Sequence, residues 1–290
     1  MFERKKISLH SKGRPVTMHL ISTGMVAVKT RFRNAANFGW MGTIDFVTDR
    51  RFTELMPIWV MVLEHPEGIF LIDTGEISDV TRPDYFRSSG FFTSWFDRSQ
   101  FRFTVEKEEE IDQQLQSLHI QKEKLKAIIL THLHFDHTDG LKFFPGTPVL
   151  VNKEEWEKPF GDLPKLYPPG FSPTLVSLDQ SFDVFEKSKF LTEAEDLLLV
   201  HTPGHTWGHC SVLFRADEGN ILFAADTCYS AQQLLNDQYA AISASHVLVK
   251  QTYATVRSFA SRNKTVFLPS HDPDAGKNLV QLSFLNPGTR

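Results

Sequence analysis

Eight short runs of β-branched and other apolar residues recur along the chain, at 58–63, 69–72, 125–130, 148–151, 197–200, 210–214, 221–224 and 266–268. Few of them alternate polar with apolar residues, so most are expected to be strands buried on both faces. Sheets buried in that way need covering helices, and helical patterns lie between the runs. Over 105–118, Ile111, Leu115 and Leu118 fall at i, i+4 and i+7, which puts the acidic run 106–110 on the solvated side. Over 243–261, Leu248, Thr252, Val256 and Phe259 mark a core face, with Ser243 as the N-cap. Strands and helices mixed like this predict an α/β layered fold. A chain of 290 residues can bury about 75% of its extended surface without disulfides or partners, and no repeat or low-complexity tract divides it. Residues 1–290 are therefore read as a single domain.

Three segments fit neither period and are expected to be long loops: 30–57, 84–103 and 157–173, the last with five prolines. Loops of that length in a compact domain usually carry function. The second holds Tyr85, Phe86, Phe91, Phe92, Trp95, Phe96, Phe101 and Phe103, a density suited to an apolar substrate wall or to a contact between two copies. Charge narrows the partners. With 31 Lys+Arg against 35 Asp+Glu, the net charge of −4 lacks the basic excess that a phosphate backbone attracts, so nucleic acid is not expected. No apolar run approaches the ~20 residues that cross a bilayer, so no membrane role is expected. Two cysteines, Cys210 and Cys228, and a charged opening without a signal peptide's apolar stretch predict a cytoplasmic protein.

The chemistry sits directly behind the apolar runs. After 125–130 comes Thr131-His132-Leu133-His134-Phe135-Asp136-His137, three imidazoles and a carboxylate within six residues. Neutral His nitrogen and Asp oxygen are the ligands that zinc and its neighbours accept. His132 and His134, two apart at a strand end, can project toward one metal; Asp136 and His137, beyond the turn, can reach a second. Another cluster, His201-Thr202-Pro203-Gly204-His205-Thr206-Trp207-Gly208-His209, follows 197–200, and Gly204 permits a tight turn that aims His205 inward. Asp226 ends the run that starts at 221, with two oxygens free to bridge two cations, and His271 follows 266–268. Each candidate stands at a strand's C-terminal end, where α/β sheets assemble their sites.

This order resembles the metallo-β-lactamase superfamily, in which HxHxDH is followed by a His, a bridging Asp and a last His. The resemblance runs from Leu71-Ile72-Asp73-Thr74-Gly75 through His271. It implies the αββα sandwich of the metallo-β-lactamase fold and two divalent ions per chain, with zinc the metal expected. It assigns His132, His134 and His205 to one ion and Asp136, His137 and His271 to the other, with Asp226 between them. Within the superfamily the chain is most similar to the quorum-quenching N-acyl-homoserine lactonases, through Phe135 inside the motif, Asp73, and Tyr229 three residues after Asp226. That similarity implies a dinuclear-metal hydrolase that opens the lactone ring of N-acyl-homoserine lactones, which are quorum-sensing signals, by attack of a hydroxide bridging the ions. Tyr229 and one metal would steady the oxyanion, and Asp136 would protonate the leaving alkoxide. It also implies homodimers through segments such as 30–57. Two residues depart from the pattern: Asp139 stands where Gly is usual, and Trp207 replaces a common Pro.

Rivals in the superfamily fit less well. A glyoxalase II needs a C-terminal helical region for glutathione, and 19 residues follow His271. RNA-processing relatives carry large insertions and basic surfaces, while 44 residues separate Asp226 from His271 here. Flavodiiron proteins place an acid where His134 stands, and β-lactamases of this fold lack the full set of Asp136, His137 and Asp226. A non-catalytic metal-binding protein would show a spoiled ligand. The alternative is a phosphotriesterase of the methyl-parathion-hydrolase type, with the same ligand set and an aromatic pocket. His10, His19, His65, His119 and His246 lack ligand spacing and are read as surface or hydrogen-bonded residues. His201 and His209 are not needed beside His205, and Cys228 is read as a buried free thiol.

Overall fold

In the computed structural model of the protein, which describes residues 3–37 and 39–288, each of the eight apolar runs forms a strand. Residues 1–2, 38 and 289–290 of the expected 1–290 domain lie outside those described, as do the side chains at 39, 40, 43, 46 and Phe92. The first sheet contains β1 (Arg4–Ser11), β2 (Arg14–Val28), β3 (Met56–His65), β4 (Gly68–Ile72), β5 (Phe101–Thr104), β6 (Leu125–Leu130), β7 (Val149–Asn152) and β8 (Thr174–Val176). Its order is β1-β2-β3-β4-β6-β7-β8, with β5 paired to β2. The second sheet contains β9 (Gln180–Phe182), β10 (Phe185–Phe190), β11 (Leu197–His201), β12 (Cys210–Ala216), β13 (Gly219–Ala225) and β14 (Thr265–Pro269), in the order β14-β13-β12-β11-β10-β9. Parallel pairing links β4 to β6, β6 to β7, β7 to β8 and β13 to β14.

Double-sided burial explains why the runs do not alternate. Successive side chains of a strand point to opposite faces. On β3, Trp59, Met61 and Leu63 enter a core shared with Leu199, Phe214 and Phe223 of the other sheet. Val60 and Val62 point the other way, onto Ile111 and Leu115 of the helix Ile111–Ser117. The second sheet repeats the arrangement, with Leu213, Leu222 and Phe267 facing Val249, Tyr253, Val256 and Phe259 of the helix His246–Arg262. Helix, sheet, sheet, helix: this is the αββα sandwich. Removing a fully buried ring such as Phe223 would cost ~3–5 kcal/mol.

Several local expectations need correction. Residues 30–57 are not a continuous loop; they contain the helices Thr30–Arg33 and Gly39–Thr48 and enter β3 at Met56. Residues 84–103 hold a 3-10 turn, the helix Phe91–Gln100 and most of β5. Only 157–173 remains largely irregular, with a single 3-10 turn at Pro164–Leu166. Ser245, not Ser243, caps the long helix, its hydroxyl accepting from the Leu248 N–H at 3.3 Å. The acidic run is not wholly solvated: Glu110 is buried, accepting from Ser78 Oγ at 2.6 Å and from Lys107 at 2.5 Å.

Candidate metal centre

The site assembles at the edge where strands of both sheets end. His132 and His134 follow β6, Asp73 follows β4, Asp226 follows β13 and His271 follows β14. His205 lies in the connection from β11 to β12. Two of these ends adopt left-handed backbone in residues other than glycine, Asp73 at φ +58° and Ala225 at φ +47°. Such conformations cost roughly 1–3 kcal/mol and persist where the surroundings over-determine them. Each turns the chain sharply as its strand ends, and the Asp73 and Asp226 carboxylates both meet His137.

The structure gathers the seven sequence-predicted residues into two adjoining groups. Ligand atoms of His132, His134, His205 and Asp226 lie within 4.8 Å of one another, as do those of Asp136, His137 and His271. Asp226 faces both: Oδ2 is 3.4 Å from His205 Nε2, while Oδ1 is 3.3 Å from His137 Nε2 and 3.5 Å from His271 Nε2. The Asp136 carboxylate stands 3.4 Å from His271 Nε2.

A cation fits this arrangement better than hydrogen bonds do. His134 Nδ1 is 3.0 Å from His132 Nε2 and 2.9 Å from His205 Nε2. One ring nitrogen carries one proton or one lone pair, so it cannot hydrogen-bond to both. A shared positive ion serves all three nitrogens at once. Where Asp226 faces the second group, its buried Oδ1 and the His137 Nε2 opposite have no hydrogen-bond partner among the described residues. Buried polar atoms are rarely left so.

Partners on the far side of four of the five rings fix their direction, as is usual around metal ligands. His137 Nδ1 meets Asp73 Oδ2 at 2.8 Å, His134 Nε2 the Phe160 carbonyl at 2.9 Å, and His271 Nδ1 the Pro57 carbonyl at 3.0 Å. His132 Nδ1 meets Thr131 Oγ1 at 3.1 Å. Charge differs between the two groups. Burial, then the neighbouring imidazoles, hold His132 and His205 well below the usual histidine range, so both are neutral and able to ligate. Burial also acts on His137 and His271, but carboxylates outweigh it: Asp73, Asp136 and Asp226 hold His137 well above its ordinary value, and His271 is pushed up to about 10. An ion entering that half must displace protons.

Beside the centre opens a cavity of about 370 Å³, within the size range of small-molecule sites. His134, Asp136, His205, Asp226 and His271 form its polar end, and Phe32, Phe96, Phe101, Phe103, Phe135 and Leu163 form its wall. All three segments expected to be long loops contribute, although partly as helix and strand. Phe91 and Trp95 of the aromatic stretch point to solvent instead. Tyr229 lies at the junction, its ring 5.6 Å from that of His271. Burial, then Asp226 and Asp136, push its phenol well above the usual range, so it stays protonated and can donate.

The remaining histidines keep the roles expected of them. His10, His19 and His65 meet Glu218, Glu64 and Asp196, and His246 meets the Ala240 carbonyl. His201 contacts the Trp207 carbonyl, and the buried His209 accepts from the Asp226 N–H at 3.2 Å, steadying the bridge without joining either group. Cys228 is a buried free thiol, its pKa raised by burial. Of the two departures, Trp207 is exposed, and Asp139 is buried where it accepts from the Tyr85 hydroxyl; burial and then Asp139 push the Glu76 carboxyl well above the usual range.

Glu155 was not singled out by the sequence. It is buried and accepts from the Leu133 N–H at 3.1 Å, Thr206 Oγ1 at 2.6 Å and the Gly208 N–H at 3.1 Å. One carboxylate thus ties the His132–His134 turn to the His205 loop.

Known proteins align with this geometry. The family model described as the metallo-beta-lactamase superfamily matches residues 53–271. An N-acyl homoserine lactonase of a Bacillus species is 28% identical over 183 residues, 63% of this chain and 68% of the relative. A solved N-acyl homoserine lactone hydrolase, with the product N-hexanoyl-L-homoserine bound at its catalytic metal centre, superposes with a TM-score of 0.73 at 21% identity. The match covers 94% of this chain and 97% of that one. AidC, a dizinc quorum-quenching lactonase, superposes with a TM-score of 0.61 at 15% identity, over 94% and 91% of the two chains.

Proposed function

The chain belongs to the metallo-beta-lactamase superfamily, and from that membership we propose that it opens the lactone ring of N-acyl-homoserine lactones at a two-metal centre. The observation that carries this reading is Asp226, whose two oxygens face separate ligand groups at the mouth of an apolar cavity that Tyr229 also lines. His132, His134 and His205 would hold one ion and Asp136, His137 and His271 the other, with Asp226 shared. Two divalent ions, zinc in this reading, would supply Lewis acidity at the carbonyl and a nucleophile from water at neutral pH. Lactonase relatives, one of them a dizinc enzyme, support the substrate and the metal.

The chain's own residues do the rest. The phenyl wall takes the acyl tail and excludes water from it. Tyr229 donates its hydroxyl proton in a hydrogen bond to the carbonyl oxygen as charge builds there. As the ring C–O bond breaks, Asp136 passes the proton it has taken from the attacking water to the leaving oxygen, giving the open hydroxy acid. We place the enzyme in the cytoplasm. Among the described residues no helix is long and apolar enough to cross a membrane. Exposed Met41, Ile44 and Val47 on the helix Gly39–Thr48 support a homodimer through this segment.

The test is a pH-drop assay with N-hexanoyl-homoserine lactone and with paraoxon, run on metal-replete protein. Acid release from the lactone and little turnover of paraoxon is the expected result. The reverse preference would make the protein a phosphotriesterase.

A further inference from the structure

Two carboxyls in the cavity have no part in the proposed reaction, Asp162, which accepts from the Tyr167 hydroxyl at 3.3 Å, and Asp97. Asp97, on the helix Phe91–Gln100, is 8% exposed and lines the cavity with Thr93, Phe96, Phe101 and Phe103. Its buried Oδ2 has no hydrogen-bond partner among the described residues, and burial alone pushes the acid up to about 7. Asp139 and Glu155, also buried, differ: Asp139 accepts from Tyr85, and Glu155 accepts three hydrogen bonds. An unpaired acceptor in an apolar wall is destabilising where a leucine would pack without cost. Such a group persists where something outside the fold satisfies it, and the cavity is where that something enters.

We propose that Asp97 is a specificity-determining residue that accepts a hydrogen bond from a hydroxyl on the acyl tail, so that hydroxyacyl lactones are the preferred substrates. The inference rests on the lactonase reading above. Asp97 stands beside Phe96 on the helix Phe91–Gln100, with the wall that takes the tail. A hydroxyl supplies the donor a carboxylate lacks; an oxo group at the same carbon supplies only acceptors.

The experiment compares kcat/KM for 3-hydroxyacyl, 3-oxoacyl and unsubstituted acyl lactones of one chain length. At about pH 8 the wild-type protein should favour the hydroxy substrate over the unsubstituted one by roughly tenfold, because a polar group placed for a substrate hydroxyl discriminates against its absence. The oxo substrate should gain nothing. Asp97→Leu should bring the ratio to about one, and Asp97→Asn, which keeps a carbonyl acceptor, should retain part of it. The wild-type ratio should also fall as pH drops through about 7, where the acid takes up its proton. Titrations common to both substrates cancel in that ratio. A wild-type ratio near one, or the same ratio in wild type and Asp97→Leu, overturns the inference while leaving the lactonase reading intact. Absence of turnover on every lactone overturns both. Should Asp97→Leu fail to fold, the comparison of Asp97→Asn with wild type decides by the same ratio.

Discussion

The metal end and the aromatic wall of the cavity are built on opposite plans. At the metal end, four of the five grouped imidazoles have their second nitrogen held by a backbone carbonyl, a hydroxyl or a carboxylate. The backbone beneath them runs from strand ends of both sheets, β6 inside the first and β14 at the edge of the second. In the wall, the contacts are ring against ring, such as Phe103 on Phe135 at 5.7 Å and Phe32 on Phe101 at 5.1 Å, and the polar Asp97 has no partner. Its residues come from short helices and a four-residue strand at one margin of the first sheet. Chemistry that depends on fractions of an ångström sits on the rigid part, and substrate choice on the part that can change without disturbing it.

The contrast can be broken at its rigid side first. Glu155→Ala removes the tie between the two histidine loops and leaves three donors unpaired, so metal affinity should fall by about 10–100-fold, as it does when outer partners of ligands are lost. Competition with a chromogenic chelator measures this. An unchanged affinity would mean that the loops hold themselves. At the junction, Tyr229→Phe should lower kcat for lactone hydrolysis by about tenfold with metal content intact, since a nearby cation would already carry part of the oxyanion's charge. Equal kcat would make Tyr229 a packing residue. The smallest effect belongs to the wall: each added tail methylene should improve kcat/KM by up to ~4-fold, the equivalent of ~0.8 kcal/mol, until the cavity is full. A flat response across chain lengths would assign the phenyl wall another purpose.

The same contrast governs what was legible in the sequence. Every grouped side chain could be named from spacing alone, because each follows an apolar run whose strand end determines its place. The strands β1 and β2 were harder to see. β1 opens with three basic residues and has only Ile7 and Leu9 as apolar positions, and β2 carries Ser22, Thr23 and Gly24 at a register shift in its pairing with β3. Gly24 is needed there: its φ is +127°, and a Cβ would stand 2.5 Å from Val105 Cγ2. The helix Phe91–Gln100 mixes the exposed Phe91 and Trp95 with the half-buried Phe96, so no stripe marks it. Glu155 has no sequence signature because it works through backbone N–H groups 22 and 53 residues away. Asp97 has none because its significance is a missing partner, which only packing reveals.

The central claim is that Asp226 joins two metal sites into one centre, and counting the ions tests it most directly. Elemental analysis of protein purified without chelator should find two divalent ions per chain in wild type, because both ligand groups are complete. Asp226→Ala should lose most of both, because one carboxylate serves each group. Active wild-type protein carrying no more than a trace of metal, or an Asp226→Ala variant that keeps both ions, would contradict the account.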